Sequence, residues 1–147
     1  MEQNVCPPES GRAKVIPLQP FRRTQNFESH YESGRQYREQ GRLDLAIREW
    51  QRAAALDKTN LEVRLDLGVV LAEKGQLEPA AQCFRSAIEL DPTHAMARCR
   101  RGICYYHRKE YEPALADLQR AYALDPDIHN IGRYVQMAVK AMRRTGR

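Results

Sequence analysis

Small and large apolar residues return in the same order every 34 positions along this chain. Gly34, Gly68 and Gly102 open the series. Twelve residues after each comes Ala46, Ala80 or Ala114, four further on Trp50, Phe84 or Leu118, and three beyond that Ala53, Ala87 or Ala121. Each unit closes on Leu56-Asp57-Lys58, Leu90-Asp91-Pro92 or Leu124-Asp125-Pro126. Agreement in phase at several independent positions, with no insertion, is the signature of a repeat architecture. Within a unit the apolar spacing is helical, and it predicts two helices. The first helices fall at roughly 27–40, 61–74 and 95–108, the second at roughly 43–56, 77–90 and 111–124.

The residues between these stretches fit the same division. Gly41 and Gly75 stand where the first helix must end in a left-handed residue. Lys109 takes that place in the third unit, at a cost of about 1 kcal/mol. Pro92 and Pro126 stop the second helices. Asn60 and Asp127 are the expected N-caps of the helices that follow them. Gly34, Gly68 and Gly102 fall mid-helix, where glycine costs about 1 kcal/mol against alanine, so a close helix approach must explain them. We expect Ala46, Ala80 and Ala114 to face them, and Trp50, Phe84 and Leu118 to fill the space between successive pairs. A single helix pair could not bury this surface, so the units must stack.

Beyond Pro126, Ile128, Ile131, Val135, Ala138 and Met142 form one apolar stripe, with Arg133, Lys140, Arg143 and Arg144 opposite. This predicts a last helix over 129–145 that covers the exposed face of the third unit. Residues 1–25 are rich in proline and polar residues and read as a flexible tail. Within it Pro17-Leu18-Gln19-Pro20-Phe21-Arg22 matches a PxxPxR pattern, which reads mainly as linker. A further reading has Val15, Ile16, Leu18 and Phe21 folding back onto the array.

Charge alters the picture little. The chain of 147 residues carries +5, but the net charge is +2 over 1–26, −2 over 27–128 and +5 over 129–147. A near-neutral body disfavours nucleic acid as a partner, because such proteins usually carry a basic stripe along the domain. No apolar run approaches the roughly 20 residues that cross a bilayer. The start of the chain lacks the basic and apolar regions of a secretory signal. Cys6, Cys83, Cys99 and Cys104 show no metal or redox spacing, so they read as reduced thiols of a cytoplasmic protein.

The repeated glycine, the Tyr37, Leu71 and Tyr105 positions, the alanines, the bulky apolar residues and the prolines together resemble the tetratricopeptide repeat (TPR) family over about residues 27–128. The resemblance implies an all-α, right-handed α-solenoid of three helix pairs with a C-terminal solvating helix. Its units would be 27–60, 61–94 and 95–128, followed by 129–145. It also implies that the first helices line a concave groove. Mapped onto this chain, Arg35 of the first unit, Leu65, Asp66 and Val69 of the second, Arg100, Ile103 and Tyr106 of the third, and Tyr134 and Met137 of the last helix point into it. Leu65, Val69, Cys99, Ile103, Tyr106, Tyr134 and Met137 would then form an apolar strip. Glu62, Asp66 and Glu73 flank one side of it, and Arg100, Arg133 and Lys140 the other. Exposed strips of this kind mark binding surfaces. The charges suit a peptide that is basic toward the second unit and acidic toward the last helix. Packing of part of the strip against the last helix or against the chain's own N-terminal tail is the competing reading. One TPR subfamily clamps the terminal carboxylate of heat-shock chaperones with Lys, Asn and Arg. Here those positions hold Tyr31, Arg35, Asp66, Met96 and Arg100, and only Arg100 matches. That function is therefore not expected.

No catalytic constellation stands beside the groove. His30, His94, His107 and His129 are scattered, and Cys99 with His107 is one ligand pair where zinc needs at least three protein ligands. No phosphate loop, nucleophile elbow or paired-carboxylate set occurs, and no cofactor is implied. The basic end Lys140–Arg147 reads first as compensation of a helix dipole. The expected function is a non-enzymatic adaptor or chaperone-like module holding a peptide segment of a partner protein. The alternative is an assembly subunit that associates with a second copy of itself through the repeat-one end or the groove.

Overall fold

The computed structural model describes residues 19–146, and side chains from Arg22 onward. Seven helices account for nearly all of them: α1 (Gln19–Glu39), α2 (Leu43–Leu56), α3 (Leu61–Glu73), α4 (Leu77–Leu90), α5 (Ala95–His107), α6 (Tyr111–Leu124) and α7 (Ile131–Thr145). Helices α2 to α6 lie within one residue of the positions read from the apolar period. The packing is consecutive: α1 on α2, α3 on α4, α5 on α6, each pair against the next, and α7 against α6.

Two boundaries differ from expectation. Helix α1 is already formed at Gln19, the first described residue, so residues 19–25, assigned above to a flexible tail, are helical. The helical stretch includes the second half of the PxxPxR match, so residues 19–22 are not polyproline. Pro17, Leu18, Val15 and Ile16 lie outside the described residues, as does the Phe21 side chain. Helix α7 starts at Ile131, and its N-terminal flank is Asn130 in the left-handed region (φ 62°) rather than Asp127. The Asp127 amide instead donates to Asp125 Oδ1 at 3.0 Å.

The turns repeat with the sequence. Gly41 (φ 73°), Gly75 (φ 77°) and Lys109 (φ 63°) are all left-handed, so the third unit keeps the backbone without the glycine. Asn60 caps α3 by accepting from the Val63 amide. His94 caps α5 in the same way, its Nδ1 accepting from the Ala97 amide at 3.1 Å. After α2 and α4, Asp57 and Asp91 each accept from the amide and hydroxyl of a threonine two residues on, Thr59 and Thr93. These bonds, the threonine hydroxyl first, hold both carboxyls below the ordinary aspartate range.

The core runs through all three units, and the mid-helix glycines are its key. A Cβ at Gly34 would lie 2.3 Å from the Trp50 indole, and one at Gly68 would lie 2.7 Å from the Phe84 ring. At Gly102 the nearest atom is Leu118 Cγ at 2.9 Å. The glycines therefore make room for the large residue of their own pair, and at Gly102 also for the backbone of Ala114 opposite, whose oxygen would lie 3.2 Å away. Trp50, Phe84 and Leu118 thus pack inside their own pairs, and Trp50 and Phe84 share one core that spans the first two. Trp50 also donates from Nε1 to the Tyr31 carbonyl at 3.0 Å, which satisfies its buried N–H.

Candidate functional site

Helices α1, α3, α5 and α7 stand side by side along one face of the array. Side chains one repeat apart join the first two. The Tyr31 hydroxyl donates to Asp66 Oδ2 at 2.7 Å, and Arg38 pairs with Glu73 at 2.7 Å. Burial, then the hydrogen bond to Asp66 and its charge, pushes the Tyr31 phenol well above its ordinary range, so it stays a donor. The pairing also ties up the Asp66 carboxylate, one of the predicted groove acids.

Each predicted groove residue has a definite place. Leu65 and Val69 are half-buried and pack on the core of the first two units. Ile103, Tyr106 and Tyr134 are half-buried around a second core built from Leu118, Ala121, Ile128, Ile131 and Ala138. Met137 is half-buried on α7, beside Tyr106. Arg35 and Arg100 are exposed, with Arg35 in a 3.4 Å contact to Glu32 that solvent weakens. Cys99 departs from the expected strip. It is 2% exposed and belongs to the second core, so α7 and α6 cover it. Packing against the last helix thus removes Cys99 and leaves the other six strip residues partly exposed.

The thiols are quiet. Burial raises Cys83 and Cys99, and pushes Cys104 up to about 11, so none is a thiolate at neutral pH. No group of three or more His, Cys, Asp or Glu side chains among the described residues is placed to hold a metal ion.

Where α5 gives way to α6, the groove deepens into a pocket of about 230 Å³. Tyr106, Met137 and Lys140, all expected in the groove, line it together with Tyr111, Ala141, Arg144 and Thr145. The last four were missed. Arg144 and Ala141 could have been found from spacing alone, since Met137, Lys140, Ala141 and Arg144 recur at three and four on one helical face. Tyr111 lies across the turn from Tyr106, with ring centroids 5.6 Å apart, and no local pattern joins the two.

Two family models match this repeat geometry: one described as "TPR repeat" over residues 34–75, the other as "Tetratricopeptide repeat" over 65–127. The chain is a tetratricopeptide repeat protein. No curated protein matches it at a significant level. Many solved structures do. The first TPR of Spaghetti (RPAP3), bound to an HSP90 peptide, superposes with a TM-score of 0.76 at 21% identity, covering 81% of this chain and 94% of that one. The TPR2B domain of yeast Sti1, in complex with pHsp70, gives 0.69 at 20% identity, with 82% and 98% covered. YrrB, titled a TPR protein with an unusual peptide-binding site, is 30% identical with a TM-score of 0.67. There 80% of this chain is covered and 57% of that one. These likenesses establish a TPR fold, and the peptides named belong to those proteins. Among the described residues of this TPR array, no helix is long and apolar enough to cross a membrane.

Proposed function

We propose that this TPR array is a non-enzymatic interaction module that holds a peptide segment of a partner protein along the face of α1, α3, α5 and α7. The supporting observation is the row Leu65, Val69, Ile103, Tyr106 and Tyr134, each anchored in the core yet partly open to solvent, continued by the half-buried Met137 beside Tyr106. Rigid apolar side chains of this kind supply binding free energy without an ordering cost. Structural relatives titled as peptide complexes favour the same use of the face. A chaperone tail ending in a free carboxylate is not favoured, because Asp66 and Met96 stand where the clamp needs amides or cations and Tyr31 already occupies Asp66.

Self-association through the repeat-one end is the weaker reading. The first described side chains of α1, from Arg22 to Asn26, are polar and exposed, and they offer little apolar area to bury. The test is a random-peptide display selection on the full chain. Selected peptides should lose about tenfold in affinity to a Val69→Ala, Ile103→Ala variant that keeps its helical circular dichroism. Peptides that bind this variant unchanged, or a selection that yields none, would sink the proposal.

A further inference from the structure

The pocket at the α5–α6 turn has a chemistry that the apolar strip does not account for. Binding sites for whole small molecules run from about 300 Å³ upward, and this space is about 230 Å³. It suits a single side chain. Its walls are two phenol rings, a thioether and two cations.

The cations are uncommitted. Helix α7 carries no acidic residue, and Lys140 and Arg144 have no carboxylate partner among the described residues. Glu110, on the adjoining turn, is already held by Arg108 at 2.6 Å, and Arg108 also holds Glu78 at 2.5 Å. The phenol hydroxyls of Tyr106 and Tyr111 likewise have no hydrogen-bond partner among the described residues. Dipole compensation explains Arg143 and Arg144, which sit in the last turn of α7. It does not explain Lys140, which lies before that turn. Like charges four apart on a helix repel weakly, and an anion between them relieves that repulsion.

We infer that the pocket receives an aspartate or glutamate side chain of the peptide bound in the groove, with its carboxylate between Lys140 Nζ and the Arg144 guanidinium and its methylene stem against Tyr106 and Tyr111. This rests on the peptide-binding reading and adds a chemical requirement to it. An arginine fork with an ammonium beside it holds a carboxylate through charge-assisted bonds. Lys140 and Arg144 are exposed while Tyr106 and Tyr111 are half-buried, so the rings give the stem a firm apolar wall beside cations that can turn toward it. The other side of the groove, where the exposed Glu62 stands on α3, then fixes the direction in which the peptide lies.

The display selection described above tests this directly, because displayed peptides joined to a coat protein present side-chain carboxylates and no free C-terminus. Acidic residues should be enriched at one fixed distance from the apolar anchors. A selected peptide, resynthesised with an amidated C-terminus, should bind the Lys140→Gln, Arg144→Gln variant about tenfold more weakly. A Glu→Gln change in the peptide should cost the same against the native chain and nothing further against that variant. A merely structural role for the two cations would not produce that coupling. Groove-dependent peptides without acidic enrichment, or without coupling to Lys140 and Arg144, would overturn the inference and leave the peptide-binding reading standing. A selection that yields no peptide sensitive to Val69→Ala and Ile103→Ala would remove both.

Discussion

The first and third repeats solve the same packing problem in different ways. In the first, Gly34 admits the Trp50 indole, which is 1% exposed, and Glu49 stays at the edge of the pair, where His30 contacts it at 2.6 Å. In the third, the smaller Leu118 takes the tryptophan's place and a buried ion pair appears beside it. Arg101 donates from Nε and Nη2 to the two carboxylate oxygens of Asp117 at 2.6 and 2.8 Å. Asp117 is 6% exposed, and Arg98 approaches it at 3.9 Å. The hydrogen bonds to Asp117 raise the Arg101 guanidinium above its ordinary range. One repeat is held by aromatic area, the other by a smaller apolar residue and a bidentate charge contact. Burying two charges offsets most of their attraction, so the two solutions should fail differently.

The largest effect belongs to the aromatic. Trp50→Ala removes a fully buried indole and its bond to Tyr31, and should cost about 4 kcal/mol in denaturant unfolding. Asp117→Ala strands the Arg101 charge and should cost about 3 kcal/mol. The comparison is sharpened by the double change Asp117→Ala, Arg101→Met, which should recover at least half of that loss because no lone charge remains buried. Equal losses in the single and double variants would mean that the pair contributes by packing alone. The difference between the repeats would then be one of volume only.

Smaller effects come from the glycines and the turns. Gly34→Ala drives a Cβ to 2.3 Å from a rigid indole, whereas at Gly102 it meets the buried Leu118 Cγ at 2.9 Å and the Ala114 carbonyl oxygen at 3.2 Å. Gly34→Ala should therefore destabilise by about 2 kcal/mol, the usual cost of overpacking. Gly102→Ala should cost less, about 1 kcal/mol, since helix propensity offsets part of the milder crowding. At the next turn, Lys109 holds a left-handed conformation that Gly41 and Gly75 adopt freely. Lys109→Gly should stabilise the third repeat by about 1 kcal/mol, read as a higher midpoint in urea.

Much of this was legible in the residues. Helices α2 to α6 could be placed because each keeps a helical apolar period between fixed stops, and the left-handed turns because glycine or its replacement recurs in phase. The start of α1 was hidden for a physical reason. Gln19 to Asn26 shows little apolar periodicity, and only a long-range contact can show that such a stretch is helical. Spacing also assigns a residue to a face without naming its neighbour, so the bulky side chain that each glycine admits was not foreseen. It gives no sign that the half-buried Arg101 would meet the buried Asp117, sixteen residues on. The groove was half visible. Its first-helix residues follow from the repeat, whereas Tyr111 enters the pocket through a tertiary turn, and Cys99 leaves the strip because α7 covers it.

The junctions between repeats extend the contrast to pH. Asp57 and Asp91 each accept two bonds from a threonine, while Asp125 has the Asp127 amide alone. Both threonine-bound carboxyls titrate below the ordinary range when folded. A depressed folded pKa means that the contribution to stability is present above the unfolded value, near 3.9, and is lost as pH falls through the folded one. The first two junctions should thus hold at neutral pH and weaken only below about pH 4. Thr93→Ala should bring the Asp91 carboxyl back toward the ordinary range in a carbon-detected NMR titration, while leaving Asp57 where it is. Because these carboxyls are exposed, the change in melting temperature should be the smallest in the series. A large fall would mean that the turn after α4, rather than the packed interior of the pairs, limits the stability of the array.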